Sequence, residues 1–417
     1  MSKISFIKSR QVFDSRGFPT IETDVVLSDG SIGSAIIPSG ASTGSYEAYE
    51  LRDQNEKYLN KSVFKAIENV NIKINDSLKG IDCFDQTKID NILIELDGTK
   101  NKSSIGANAI LSVSIANCKA AAKSQKKEIY EYLSKTDIYK LPYPLMNIIN
   151  GGAHANNSLN IQEFMIRPDG ANNFEECIQF AFLTIQNLKK ILDQRKLNTS
   201  VGDEGGFAPN LNSDEEAIEL ILESISKSGF TPGNDINICL DIAANELYED
   251  KKYSIINNKN INSEELIDYY KKLITKYPIK SLEDPIFEDD WKSWTNLTKA
   301  IGDKVQVVGD DLFVTNFQRL EKGINELSAN SILIKLNQIG TITETLKAIQ
   351  LAQKKGLNTI ISHRSGDTED TFIADLAIAT KSNQIKTGSL ARSERVAKYN
   401  RLLRIEEKLK KPGMLQL

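Results

Sequence analysis

Six times in the second half of the chain a short apolar run stops at a charged residue. The clearest case is Ser331-Ile-Leu-Ile-Lys335-Leu-Asn-Gln-Ile-Gly340, followed by Thr341-Ile-Thr-Glu344. Ser331 to Ile334 has the length and apolarity of a strand buried on both faces. Thr341 and Glu344 stand in capping-box spacing, so a helix is expected from there to about Gly356. The same unit recurs with a different end residue. Ile236 to Leu240 ends at Asp241, Ile279 to Leu282 at Glu283, and Val305 to Gly309 at Asp310. Thr359 to Ser362 ends at His363 and Arg364, and Ile385 at Lys386. The helices between carry caps of their own, Ser213 with Glu216 and Thr315 with Gln318. Strands spaced by roughly 25 to 40 residues with helices between them predict a (β/α)8-type barrel rather than an open sheet. In such barrels the chemistry lies at the carboxyl ends of the strands.

The first part of the chain reads differently. Residues 4 to 37 alternate apolar and polar, with Ser28-Asp29-Gly30 at a hairpin position, which predicts a three-stranded antiparallel meander. Ser62 to Tyr132 has helical periodicity, broken at Asp97-Gly98-Thr99. The small-residue segment from Ile105 to Ala122 predicts a helix packed closely on its neighbours. The prolines of Leu141-Pro-Tyr-Pro144 interrupt the pattern. The expected organisation is an N-terminal α+β lid domain, 1–135, and a barrel catalytic domain, 136–417. Between meander and helices, Pro38-Ser-Gly-Ala-Ser-Thr-Gly44 lacks the lysine and spacing of a phosphate-binding P-loop. It reads as a linker or as a mobile lid offering oxygen ligands.

Composition excludes several classes. The net charge of −4 over 417 residues is spread without a basic block, which speaks against nucleic acid. No apolar run approaches a membrane span, and the N-terminus does not read as a signal peptide. The four cysteines form no CxxC pair and suit a reducing, cytoplasmic setting. Both histidines, His154 and His363, sit in glycine-bearing loops, the usual place of site residues.

Asp241, Glu283 and Asp310 at successive strand ends would crowd three carboxylates unless a cation sits among them. All-oxygen ligation suggests Mg²⁺. Doublets such as Asp310-Asp311 also occur as surface charge, as Glu288-Asp289-Asp290 does. Lys335 and Lys386 would face this mouth, one as a base, one as a clamp for a carboxylate. Arg364 and Ser365 suit a phosphate. Glu204, between glycines in Gly202-Asp-Glu-Gly-Gly-Phe207, reads as a general acid or as a helix cap. Base, acid and metal together suggest proton abstraction beside a carboxylate with loss of a leaving group.

These residues, in this order, carry a resemblance. The chain resembles the enolase family from end to end. The resemblance rests on Asp14-Ser-Arg-Gly17, Pro38 to Gly44, Leu96-Asp-Gly-Thr99, Gly106-Ala-Asn-Ala-Ile-Leu111, Gln162-Glu-Phe-Met165 and Gly202 to Pro209. It continues through Leu240-Asp-Ile-Ala-Ala244, Ser281-Leu-Glu-Asp-Pro285, Gly309-Asp-Asp-Leu312, Ile334 to Gly340, Ser362-His-Arg-Ser-Gly366 and Lys386 to Glu394. It implies an enolase-like barrel with atypical first units, and reversible dehydration of 2-phospho-D-glycerate to phosphoenolpyruvate. By the same resemblance Lys335 is the general base and Glu204 the general acid. Glu163, His154 and Gln162 surround the departing hydroxyl, and Arg364 and Ser365, beside His363, hold the phosphate. Lys386 holds the carboxylate end. Asp241, Glu283 and Asp310 hold one Mg²⁺, while a second, arriving with substrate, is bound through Ser42. A homodimer or a higher oligomer is implied, in the cytoplasm. A second role in surface binding, with a cell-surface or secreted pool, is left open.

Phe18, Ser34, Asn160 and Asn245 depart from the family's usual residues, and the loop after Asp284-Pro285 is short. Phe18 and Ser34 put interface detail in doubt rather than chemistry. Three rivals remain. A different lyase or racemase on the same barrel would not keep Ser362 to Gly366 together with the Pro38 to Gly44 loop. A binding or structural protein would not need the intact catalytic set. A serine acyl-transfer enzyme, prompted by Lys386-Thr-Gly388, lacks the accompanying Ser-Asp-Asn.

Overall fold

The computed structural model describes residues 2–41, 43–255, 259–410 and 412–417. β1 (Ile4–Phe13), β2 (Pro19–Leu27) and β3 (Ile32–Ile36) form the antiparallel meander, in that order. Along β2 the residues Ile21, Thr23, Val25 and Leu27 are buried and the intervening ones only partly so, the period-2 alternation of a sheet covered on one face. The cover is the helix Ala107–Ser124. Its small residues let the sheet reach its backbone: a Cβ on Gly33 would lie 2.2 Å from the Ala116 carbonyl oxygen. Only glycine fits there.

The second part closes into an eight-stranded barrel. In chain order its strands are β4 (Tyr143–Asn150), β5 (Glu163–Arg167) and β6 (Asn237–Asp241). A small sheet of β7 (Tyr248–Glu249), β8 (Lys252–Ile255) and β9 (Lys259–Ile261) follows outside the barrel. The ring then continues with β10 (Ile279–Glu283), β11 (Gln306–Gly309), β12 (Ser331–Ile334), β13 (Asn358–Ser362) and β14 (Gln384–Lys386). It closes in the order β10-β11-β12-β13-β14-β4-β5-β6. β5 alone runs antiparallel to both its neighbours. Reversing one strand brings its amino end to the mouth, where the other strands present their carboxyl ends.

The alternation of inward side chains stacks the barrel interior in layers. Glu163, Asp241, Asp310 and Lys335 stand at the mouth, and two residues further from the mouth on each strand lie Met165, Cys239, Val308 and Leu333. With Leu145 and Ile360 these make an apolar layer that is at most 1% exposed and separate from the main core. Below it is a polar layer. Arg167 donates to Gln384 at 2.8 Å, and the amides of Gln306 and Gln384 bond each other at 2.6 and 3.1 Å.

Two contacts, one buried and one partly buried, tie the domains together. Asp90 accepts from the Thr343 backbone N–H at 2.9 Å, placing an anion in the first turn of the helix Ile342–Lys354. Lys119 donates to Asp370 at 2.5 Å and to the Ser34 carbonyl at 2.9 Å. Burial pushes the Asp370 carboxyl up, but the Lys119 ammonium and backbone donors more than offset this and hold it below the ordinary range. A depressed carboxylate stabilises the fold above its unfolded pKa, and the contribution is lost as pH falls through the folded value. Lys119→Ala should therefore cost about 1–2 kcal/mol at neutral pH. The deficit should shrink as the pH drops below the usual carboxylate range, as read by denaturant titrations across pH.

The caps at Ser213 and Thr341 are present, each side chain accepting from the N–H three residues on. The expected cap at Thr315 is not. Asn316 caps that helix, accepting from the N–H groups of Gln318 and Arg319. Thr315 has left-handed φ (+55°), and its hydroxyl turns inward to Gln338 and the Lys335 N–H. A cap must have extended backbone, and Asn316 supplies it.

Candidate active site

One cavity at the barrel mouth is lined by His154, Gln162, Glu163, Glu204, Asp241, Asp310, Lys335, His363, Arg364, Ser365 and Lys386. Glu283 adjoins it through Lys386. Every site residue expected from the sequence is thus gathered here except Ser42, which lies outside the described residues. Larger cavities lie elsewhere; the one of about 580 Å³ opens at the other end of the barrel near Lys140, Gln353 and Lys381.

The barrel order fixes who faces whom. β12 and β5 are four strands apart in a ring of eight, so Lys335 and Glu163 come from opposite walls. Glu163, Asp241 and Glu283 are register neighbours across β5, β6 and β10. Lys386 reaches all three: its ammonium lies 3.1 Å from Glu163, 3.1 Å from Asp241 and 2.8 Å from Glu283. Burial pushes Glu283 well above the ordinary carboxylate range, and the Asp241 charge adds to it. The ammonium of Lys386 is held well above its usual range, the surrounding carboxylates outweighing burial.

On the opposite wall Asp310 is ion-paired with Lys335 and accepts from the Gln338 amide at 2.8 Å. Burial pushes Asp310 up, but Lys335 draws it below its usual value. Lys335 in turn stays above the ordinary lysine range, because Asp310 more than offsets its desolvation. Behind Asp310, Asp284 accepts from the backbone N–H groups of Asp310 and Asp311, both at 2.8 Å. Burial and the Asp310 charge push Asp311 up to about 8.

The third group is an acid pair. His154 Nδ1 is 3.5 Å from Glu163 and 3.8 Å from Glu204, and His363 Nε2 is 3.3 Å from Glu204. Asn147 donates to the other Glu204 oxygen at 3.2 Å. Burial and the Glu204 charge push Glu163 well above its usual range. Burial also opposes Glu204 ionisation, but His363 and His154 beside it draw it well below. The two buried carboxylates disfavour each other's ionisation, and Glu163 is the one displaced upward.

The expected phosphate turn is held by the N-terminal domain. Arg364 donates to Glu47 at 2.8 and 3.1 Å and to Asn337 at 3.0 Å. Ser365 Oγ accepts from the Ala41 N–H at 2.6 Å, and Ser39 pairs with Gly366 through two backbone bonds. Ser39 and Ala41 are therefore docked onto this turn.

Among the described residues, two groups have donor atoms within 4.8 Å of one another: His154, Glu163 and Glu204, and Asp284, Asp310 and Asp311. Asp241, Glu283 and Asp310 reach the same mouth but are bridged by the lysines instead of meeting directly. Asp284, Asp310 and Asp311, with Asp241 and Glu283 near them, offer oxygen donors only, and Glu283, Asp284 and Asp311 are displaced upward. Such a set fits a hard divalent cation. Sequence reasoning missed Asp284, Glu47, Gln338 and Asn147. It also offered Asp310-Asp311 as an example of surface charge, yet both line the mouth. The one available signal was adjacency, since Asp284 follows Glu283 directly.

A barrel with a lysine and a carboxylate pair on opposite walls, and further carboxylates between them, defines an acid–base enzyme in which a proton acceptor and a proton donor face each other across the mouth. Residues 4–133 match the model of the enolase N-terminal domain, and residues 138–416 that of the enolase C-terminal TIM barrel domain. The enolase of Pelagibacter ubique (strain HTCC1062) is 60% identical over 416 residues, covering 100% of this chain and 99% of that relative. The chain belongs to the enolase family, the phosphopyruvate hydratases of glycolysis.

Proposed function

We propose that this chain performs the reversible dehydration of 2-phospho-D-glycerate to phosphoenolpyruvate, with the barrel mouth as the site. The observation that carries the reading is the placing of Lys335 across the ring from Glu163 and Glu204. Lys335 removes the C2 proton from one face. The Glu163/Glu204 pair, through Glu204, delivers its proton to the C3 hydroxyl from the other, with His154 and Gln162 beside the leaving oxygen. Arg364 and Ser365, with His363 in the same turn, take the phosphate, so the Glu47 carboxylate gives up the guanidinium when substrate enters. Lys386 binds the substrate carboxylate. Asp241, Glu283 and Asp310 would hold the first Mg²⁺, with Ser42 serving a second that arrives with substrate.

When bound, Mg²⁺ stabilises the charge that develops on the substrate carboxylate as the C2 proton leaves. Neutralising Asp310 also favours loss of the Lys335 proton, which the base needs to act. The division into a lid domain, 1–135, and a catalytic barrel, 136–417, belongs to this reading. So do a cytoplasmic setting and a homodimer or higher oligomer. No helix among the described residues is long and apolar enough to cross a membrane. Phe13 and Phe18 are half exposed on the N-terminal domain and offer apolar area for assembly.

The test is direct. Purified protein with 2-phosphoglycerate and Mg²⁺ should generate the ultraviolet absorbance of the enol product, and chelator should abolish it. A folded, Mg²⁺-loaded protein that makes no product would sink the proposal.

A further inference from the structure

One buried cation at the site has no part in the reaction just described. Arg395 follows the Lys386 to Glu394 stretch and is fully buried, with no exposed side-chain surface. A buried guanidinium needs partners for its donors. Arg395 finds them for both terminal nitrogens on the acid side of the site, while Nε has no hydrogen-bond partner. Nη1 lies 2.6 Å from His363 Nδ1 and donates to the Arg364 carbonyl at 2.6 Å. Nη2 donates to the carbonyls of Ser365 at 2.6 Å and Asp203 at 3.1 Å. Asp367, 3.4 Å away, balances the charge.

Two consequences follow from donor and acceptor chemistry. A guanidinium can only donate, so His363 Nδ1 must present its lone pair. The ring proton is then on Nε2, the nitrogen 3.3 Å from Glu204. In addition, one residue bonds the carbonyl before Glu204 and the carbonyls of Arg364 and Ser365, so it sets the spacing between the acid loop and the phosphate turn.

We propose that Arg395 is a positioning residue: it fixes His363 as the Nε2–H tautomer, with that nitrogen 3.3 Å from Glu204, and locks the acid loop to the turn that binds phosphate. The catalytic part of this inference rests on the role assigned to Glu204, while the tautomer does not. An imidazole N–H, fixed by a partner on its other nitrogen, orients the carboxylate without competing for the proton. Burial, with Arg395 adding its charge, holds His363 down to about 4, consistent with a neutral ring.

The chain has only two histidines, so ¹⁵N-histidine labelling gives two ring systems, and His154→Gln assigns them. In the wild-type protein His363 should show an unprotonated Nδ1 and a protonated Nε2. A protonated Nδ1 there overturns the proposal whether or not any variant folds and whether or not the protein is active. In Arg395→Met the tautomer preference should be lost. Turnover should fall roughly 100-fold with less than about a threefold change in KM, the signature of an interaction made in the transition state. Arg395→Lys, which keeps the charge but not the fork, should recover turnover only in part. A folded Arg395→Met protein with the wild-type tautomer and wild-type turnover would also overturn it.

Discussion

Lys335→Ala should lose about 10²- to 10⁴-fold in turnover of 2-phosphoglycerate, the usual contribution of a positioned general base. Fold and metal affinity should suffer far less. Lys335 is the partly exposed member of its ion pair with Asp310, and the Gln338 amide still bonds Asp310 when the lysine is gone. The check has two parts. Enol absorbance measures the overall rate, and exchange of the C2 proton with deuterated solvent isolates the step assigned to the lysine. If exchange survives while dehydration fails, Lys335 is not the base. Glu204→Gln gives the mirror result, since it disables the opposite wall and should leave exchange running.

The second large effect is expected at Lys386. Its ammonium is the positive charge shared by Glu163, Asp241 and Glu283, and all four groups are almost fully buried. Removing one partner from such an assembly leaves uncompensated charge, which typically costs about 3–5 kcal/mol. Lys386→Ala should accordingly unfold at a markedly lower temperature than wild type in chelator. Mg²⁺ should restore more stability to the variant than it adds to the wild type, because it supplies the missing charge to the same carboxylates. Thermal unfolding of both proteins, with chelator and then with Mg²⁺, measures this. Equal gains in both would remove Asp241 and Glu283 from the metal reading.

Much of this site could be read before any coordinates, for a specific reason. A strand buried on both faces is a short apolar run, and the charge that ends it at the barrel mouth stands out against that run. Asp241, Glu283, Asp310, Lys335 and Lys386 were found that way. The reversal of β5 leaves no such mark, because a strand's direction is decided by its neighbours and not by its residues. Gln162-Glu163 stood out locally only as an acidic cluster, and its role came through the resemblance. Asp284 was hidden for a different reason. It has left-handed φ (+40°) just past the end of β10 and serves backbone N–H groups from another strand end, a long-range partnership with no local signature. Thr315 misled because a hydroxyl three residues before a glutamine looks like a cap, while its actual partners are Gln338 and Lys335. Glu47 and Arg364 are more than three hundred residues apart, and nothing local announces their pairing.

The apolar layer of Leu145, Met165, Cys239, Val308, Leu333 and Ile360 has a consequence for traffic. It puts a floor under the acids and bases that neither ions nor water can readily cross, so every proton taken up or released by the site must travel through the mouth. Beside that passage Ser39 and Ala41 dock on the turn that carries Arg364 and Ser365. A proton taken from substrate therefore leaves by the same opening through which substrate entered. Return of product to substrate with its own hydrogen then competes with exchange through that opening, and the ratio of the two reports how readily solvent reaches the base.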